Sequence, residues 1–295
     1  MPINKELYPF DNKYFQIKNL KMHYIDEGKG EPIVMLHGNP TWSFFYRDMV
    51  KSMSQSYRCI VPDHIGNGLS DKPSKKEYSY TLSERADNLS ALLESLAITE
   101  NITLVLHDWG GLIGMTYAHR NIDKIKRIVI LNSAAFRLPK SRPFPWLIGL
   151  CKNDWLGALL VQGLNAFSIG SNLLCVKKKM SKEIAQMYLE PYNNWKNRYG
   201  VLAFVLDVPL SPQHKSYSDL VETESNLPKF AKIPKIICWA DKDFVFDKHF
   251  LAEWEKLYPD AKVHNIKNCG HYILEDAHQE VNSIVLDFLS QNKLN

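Results

Sequence analysis

ITLVLHDWGGLIG, residues 102–114, joins an apolar run to a helix-like segment through a turn that carries an aspartate. Residues 102–106 are apolar but for Thr103 and have the length of a buried strand. His107 and Asp108 end the run, and Gly110 and Gly111 open the segment that continues to Arg120. This is the pattern of a nucleophile elbow, a sharp strand-to-helix turn that lifts one side chain above a sheet. Small residues must follow it so that helix and strand can pack closely. Leu106 stands where a glycine is often found. The tip of the turn is Asp108, where serine is the common residue. A carboxylate with an ordinary pKa of about 3.9 is ionised at neutral pH and attacks without a general base. On an acyl carbon it gives a labile anhydride, and on a saturated carbon an alkyl ester. Taken alone, Asp108 suits the cap of the following helix equally well.

The same rhythm extends in both directions. Residues 20–25, 32–36, 57–61, 127–131, 235–239 and 262–266 read as strands. Helical periodicity marks residues 82–96, 110–120, 247–257 and 276–291. The first of these follows Thr81, with Glu84 three residues on, the pattern of a capping box. Short apolar strands separated by helices predict an α/β fold with a mostly parallel central sheet and helices on both faces. The rhythm stops between Ala134 and Phe230. That stretch lacks a convincing buried strand and is rich in aromatics, including Trp146, Trp155, Tyr188, Trp195 and Phe204. The expected organisation is a core of residues 1–133 and 231–295 with a helical cap, 134–230, inserted between two strands. Such an insertion is either a plain helical subdomain or a lid over a pocket at the strand C-termini, where α/β sheets bind ligands. Its position at a strand's C-terminal end favours the lid.

Two further segments supply partners for Asp108. Asn268-Cys269-Gly270-His271 follows the last strand, and Asp243 follows the strand before it. Asp243, rather than Asp241 nearer the strand end, is the expected orienting acid. Asn132 and Ser133 follow the preceding strand, so that position offers no carboxylate. The chain order is then nucleophile, acid, histidine. His37-Gly38-Asn39-Pro40, after residues 32–36, places Asn39 in the turn that contributes one backbone N–H to an oxyanion-type site. Trp109, next to Asp108, contributes the other. Both residues also carry side-chain N–H donors for a leaving group. Separately, Asn39 reads as a turn residue and Trp109 as packing. His37 and His107 lie beside the site as supporting residues, and His64 falls in a loop near the pocket. The remaining histidines show no ligand spacing, so neither a metal nor another cofactor is expected.

The composition bounds the rest. The chain has 295 residues, 45% hydrophobic and 23% charged, as in an ordinary globular protein with a sizeable core. No apolar run approaches the ~18 residues of a membrane span. The net charge of +4 is small for this length and gives no reason to expect nucleic acid or an anionic membrane as partner. Five cysteines, an odd number without CxxC spacing, argue against a disulfide framework or a zinc site. Residues 1–10 contain no apolar core of a signal peptide, so a reducing cytoplasm is the expected location.

At this point the sequence resembles the haloalkane dehalogenases of the α/β-hydrolase superfamily. The resemblance spans essentially the whole chain. It is carried by HGNPTW (37–42), PDHIGNGLSDKP (62–73), HDWGG (107–111) and the DKD…GH ending. The acid after the seventh strand, with Asn39 and Trp109, is similar to the third subfamily. LNSAAFRLP (131–139), LEPYNNW (189–195), FVLDVPLSP (204–212), WADKDFVFD (239–247) and HYILED (271–276) look more like the β-lactone decarboxylases of bacterial olefin biosynthesis. The resemblance implies Asp108 as nucleophile, His271 as base, Asp243 as its partner, and Asn39 and Trp109 as leaving-group stabilisers. It implies an apolar small-molecule substrate and association with other enzymes of olefin biosynthesis. The activity it implies is conversion of cis-β-lactones to alkenes and carbon dioxide, with hydrolytic dehalogenation as the alternative. An epoxide hydrolase, using Tyr188, Tyr192 or Tyr199 as acid, and a catalytically inert binding protein rank lower. Ala240 and Asn67 depart from the family's usual Gly and Cys.

Overall fold

The computed structural model describes residues 3–294. Eight strands form one sheet: β1 (Lys13–Ile17), β2 (Leu20–Glu27), β3 (Pro32–Leu36), β4 (Arg58–Pro62), β5 (Ile102–Asp108), β6 (Ile125–Ser133), β7 (Lys235–Ala240) and β8 (Lys262–Ile266). Their order is β1-β2-β4-β3-β5-β6-β7-β8. The β1/β2 and β2/β4 pairs are antiparallel and the rest parallel. The expected α/β architecture is therefore present. β1 is an addition. Its residues, KYFQI, lie at the edge and are half-buried or exposed, so no apolar run announced it.

Alternation along the parallel strands builds two cores. Ile33, Met35, Val105 and Val129 face one side, and Val34, Leu36, Leu104 and Ile128 the other. The first side is covered by α1 (Arg47–Met53) and the second by α2 (Leu82–Ser95) and α3 (Trp109–Arg120). Thr81 caps α2, its side chain accepting the Glu84 N–H at 3.3 Å. The capping box is only half formed, because the Glu84 carboxylate accepts the Ser79 N–H at 2.9 Å instead of reaching back to Thr81.

Between β6 and β7 lie α4 (Trp146–Cys151), α5 (Asp154–Gly157), α6 (Ala166–Leu174), α7 (Lys182–Leu189), α8 (Tyr199–Leu206) and α9 (Tyr217–Asn226), with a π-helical turn at Ala158–Gly163. Cys151, Val161, Tyr192, Val201 and Val205 form an apolar cluster within this insertion. Its last part differs. Thr223 of α9 exchanges a hydrogen bond with Thr116 of α3 at 2.8 Å, and Leu227 and Phe230 join the second sheet core. The chain returns through α10 (Lys248–Leu257) and α11 (Ile273–Gln291); the latter packs on the first face through Val281, Val285 and Leu289.

Tight packing holds α3 against the sheet. A Cβ on Gly110 would strike the backbone carbonyl of Leu36. Leu106, at the position where a glycine is common, is accommodated because its side chain lies against Gly114, which has no Cβ. We expect Gly110→Ala to force α3 away from β3. Overpacking of this kind should lower stability by about 1–3 kcal/mol. Urea unfolding of the variant beside wild type measures it, and an unchanged midpoint would show that the contact is slack.

Candidate active site

The elbow is formed as its sequence suggests. Asp108 ends β5 at φ 52° and ψ −127°, a backbone region that costs a non-glycine residue roughly 1–3 kcal/mol. Ser133 Oγ donates to the Asp108 carbonyl at 2.6 Å and helps to fix the turn. The side chain makes no capping bond to α3. Instead, its Oδ1 accepts the Asn39 backbone N–H at 2.7 Å. Oδ2 faces His271 Nε2 at 3.5 Å. The two oxygens are thus distinguished: one is held by the Asn39 N–H, and the other points toward the imidazole.

His271 lies in the loop between β8 and α11, and its Nδ1 bonds Asp243 Oδ2 at 2.8 Å. Asp243 Oδ1 in turn accepts the backbone N–H groups of Val245 and Phe246 at 2.6 and 3.1 Å. Asp241 is exposed and pairs with Lys242 at 3.7 Å, so it is Asp243 that the fold brings to the histidine. Burial alone would depress the His271 pKa. The facing carboxylates of Asp243 and Asp108 outweigh it and push the value up to about 10. Burial likewise opposes ionisation of Asp108, but the hydrogen bond and charge of His271 hold its pKa below the ordinary value. Both shifts favour a carboxylate beside an imidazolium.

Both expected leaving-group residues border the same space. Asn39 Nδ2 donates one N–H to the Val201 carbonyl at 3.1 Å, which fixes the amide, and its Oδ1 is buried without a partner. Trp109 is half-buried against Phe204, their rings 5.2 Å apart. Above them lies a cavity of about 420 Å³, lined by Asn39, Asp108, Trp109 and His271 and otherwise mostly by apolar side chains such as Phe136, Phe167 and Phe246. That volume is within the usual range for a small-molecule site. Tyr188, Tyr192 and Tyr199 do not line it. The Tyr188 hydroxyl is taken by Glu275 at 2.5 Å, and Tyr192 meets Asn67 at 3.2 Å and the Thr41 carbonyl at 3.3 Å.

The other histidines support the surroundings. His107 Nε2 bonds the His271 carbonyl at 2.9 Å, and its ring stacks on Phe45; burial pushes its pKa down to about 3, so it is neutral. His37 and His64 contact each other, and His37 approaches the buried Asp63 at 3.8 Å, which also accepts a bond from His23 at 2.8 Å. Two positioning residues escaped the sequence reading. Asn132 accepts the Ala240 N–H at 2.7 Å and ties the end of β6 to the loop that carries Asp243. Asp276 accepts the N–H of Gly270 at 2.7 Å and of Lys178 at 2.7 Å, clamping the His271 loop to the insertion. The motif HYILED contains Asp276, but only its pairing across 98 residues reveals the role.

If Asp108 sustains the raised pKa of His271, neutralising it must lower that value. In Asp108→Asn the imidazole should titrate at lower pH than in wild type, followed by its NMR signals. The sign for stability follows. The imidazolium's contribution is complete below about pH 6.5 and is lost as the pH rises through about 10. An unshifted titration in the variant would show that the 3.5 Å approach carries no coupling.

The family model described as alpha/beta hydrolase fold matches residues 31–278. Among curated proteins, the chain is 51% identical to a cis-3-alkyl-4-alkyloxetan-2-one decarboxylase of Shewanella oneidensis, covering 97% of this chain and 91% of the relative. It is 43% identical to a protein of the same name from Xanthomonas campestris pv. campestris, covering 97% and 98%. Haloalkane dehalogenase 2 of Mycobacterium bovis is more distant, at 27% identity over 96% of each chain. The crystal structure of a haloalkane dehalogenase from Bradyrhizobium elkani superposes with a TM-score of 0.87 over 96% of this chain and 98% of that one, at 22% identity, which is a likeness of fold. The chain belongs to the alpha/beta hydrolase family, in the group that holds the cis-3-alkyl-4-alkyloxetan-2-one decarboxylases and, further off, the haloalkane dehalogenases.

Proposed function

We propose that this enzyme decarboxylates cis-3,4-dialkyl-β-lactones to alkenes and carbon dioxide, with Asp108 as the nucleophile. The observation that carries the chemistry is the Asp108 carboxylate at the floor of an apolar cavity, with Oδ1 held by the Asn39 N–H and Oδ2 facing His271. The names of the relatives at 51% and 43% identity supply the substrate class. Tyr188, Tyr192 and Tyr199, the acids that epoxide opening would need, lie off the cavity. Residues 134–230 serve as the cap; most of the part that covers the cavity precedes α9, which contributes Leu220 and also packs with the core helices. No helix among the described residues is long and apolar enough to cross a membrane.

Two carbons of the lactone are open to Oδ2. Attack on the oxygen-bearing ring carbon breaks the ring C–O bond, forms an alkyl ester of Asp108 and frees a carboxylate on the neighbouring carbon. Loss of carbon dioxide then leaves its electron pair to form the double bond as the ester C–O bond breaks and Asp108 is restored. No water enters. Attack on the carbonyl carbon gives an anhydride and an alkoxide instead, which the His271 imidazolium lies within reach to protonate; this route leaves the alkyl C–O bond intact, so alkene forms only if that bond later breaks and water releases Asp108 from the anhydride. In either case esterification or acylation removes the Asp108 charge. The His271 pKa then falls and a neutral imidazole, oriented by Asp243, is available for proton transfer. A second N–H of Asn39 and the indole N–H of Trp109 are the donors for the departing oxygen.

Asp108→Ala should abolish turnover while the protein stays folded; activity within tenfold of wild type would remove Asp108 from the mechanism. Asn39→Ala or Trp109→Leu should slow lactone turnover roughly 10²-fold, the usual cost of one lost preorganised donor. Variants slowed only on bromoalkanes would assign these donors to halide and favour dehalogenation.

His271→Phe separates the steps. With a reactive bromoalkane, one halide per enzyme should be released, and mass spectrometry should find one alkyl group on Asp108. With a β-lactone, continued alkene formation supports ring-carbon attack, and a stalled enzyme supports the anhydride route. Normal steady turnover of bromoalkane without labelling would exclude His271 from the reaction.

A further inference from the structure

The exposed apolar side chains of this protein are concentrated on one part of the surface. Twelve large apolar residues are exposed among the described residues, and all but Tyr14 lie between Trp146 and Leu210. Trp155, Leu173 and Trp146 are 75%, 72% and 71% exposed. The elements carrying them contact one another in series: α4 with α5, α5 with the π-helical turn, and that turn with α6. Trp195 joins the same face, its ring about as near as van der Waals contact to Gly163 and its carbonyl bonded to Gln162 at 3.2 Å. A monomer seldom leaves a contiguous patch of this kind facing water without a use for it.

The patch is continuous with the cavity. Leu147, Leu150, Leu174 and Leu210 line the cavity and are themselves exposed. The apolar lining above Asp108 is therefore continuous with the apolar patch.

Charge distinguishes this region from the rest of the chain. Residues 134–200 hold ten lysines and arginines and three acidic residues; the whole chain has 36 and 32, which leaves 26 and 29 elsewhere. The small overall charge thus conceals a basic segment, residues 134–200, on a slightly acidic remainder. Lys177 and Lys179 lie three and five residues beyond the exposed Leu174, and Lys196 follows Trp195. All three lysines are exposed, and none has an ion-pair partner among the described residues. Tryptophans and leucines edged by unpaired lysines match the chemistry of an anionic lipid surface, where indole rings sit at the headgroup level and lysines meet phosphates.

We propose that the outer face of α4–α6 docks on an anionic lipid bilayer, so that the cavity mouth opens into the acyl region and apolar substrate and product pass without crossing water. The cargo is that of the proposed lactone reaction; the surface and its charge stand independently of it. A protein partner would need a complementary acidic rim, and a second copy would bring like charges together.

Sedimentation of the full chain with vesicles tests this. Vesicles of equal parts phosphatidylglycerol and phosphatidylcholine should carry the protein down at low salt, release it at high salt, and shift its tryptophan emission to the blue. Pure phosphatidylcholine vesicles should retain much less. Trp155→Ser with Leu173→Ser, and separately Lys177→Glu with Lys179→Glu, should each lower the bound fraction by roughly tenfold. Both double variants should turn over a short, water-soluble cis-β-lactone at the wild-type rate, which shows that they are folded. A wild type that stays in solution with both vesicles overturns the proposal, as does binding that ignores lipid charge. So does a concentration-dependent self-association, without lipid, that the Trp155/Leu173 variant abolishes. Vesicle binding without lactone turnover would sink the proposed reaction and leave the docking surface standing.

Discussion

One imidazole between two carboxylates sets the terms for the rest of this structure. Asp108, Asp243 and His271 are all buried, and burying charge is costly unless every charged atom is matched. The fold meets that requirement with backbone donors. Asn39 supplies its N–H to Asp108, and Val245 and Phe246 supply theirs to Asp243. Each donor sits in a loop at the C-terminal edge of the sheet, so the sheet's register becomes the register of the site. The strained backbone at Asp108 belongs to the same arrangement, since it turns the carboxylate toward donors from a different strand.

The two carboxylates act differently on the same ring. Asp243 holds Nδ1 in a fixed hydrogen bond and stays in place. Asp108 faces Nε2 at a longer distance and is the group whose charge a covalent bond would remove. Formation of an ester would therefore itself release the imidazole from its high pKa. The base would become available only when there is an ester for it to act on, and no separate switch is needed. His107, neutral and stacked beside the ring, adds no competing charge.

Above this polar floor the environment is almost wholly apolar, and that contrast has two consequences. Inside, low polarity strengthens the interactions of the few polar groups that meet a substrate. Outside, the helices that enclose the cavity must be apolar on their inner face, and several remain so at the rim. Leu147, Leu150, Leu174 and Leu210 belong to both surfaces. Asp276 joins the insertion to the histidine loop through the backbone of Gly270 and Lys178.

Much was legible in the chain itself. The buried strands announce themselves as apolar runs because both faces of a parallel sheet are covered, and the elbow shows as an acid closely followed by two glycines because the close approaches of Gly110 to Leu36 and of Gly111 to Ser133 leave no room for a side chain. β1 was not legible, since an edge strand with one wet face needs no such run. Local chemistry also fixed the candidates Asp108, His271, Asp243, Asn39 and Trp109, each beside a strand end. Only the tertiary structure decided what they do to one another. It chose Asp243 over Asp241 by turning one inward and leaving the other beside Lys242, and it split the Asp108 oxygens into one held and one free. It also set Asn132 and Asp276 as supports and gathered the cap's lysines and tryptophans on one face. The physical reason is that strand, helix and turn propensities act over a few residues, whereas a hydrogen bond such as His271 to Asp243 or Lys178 to Asp276 exists only after distant segments have packed.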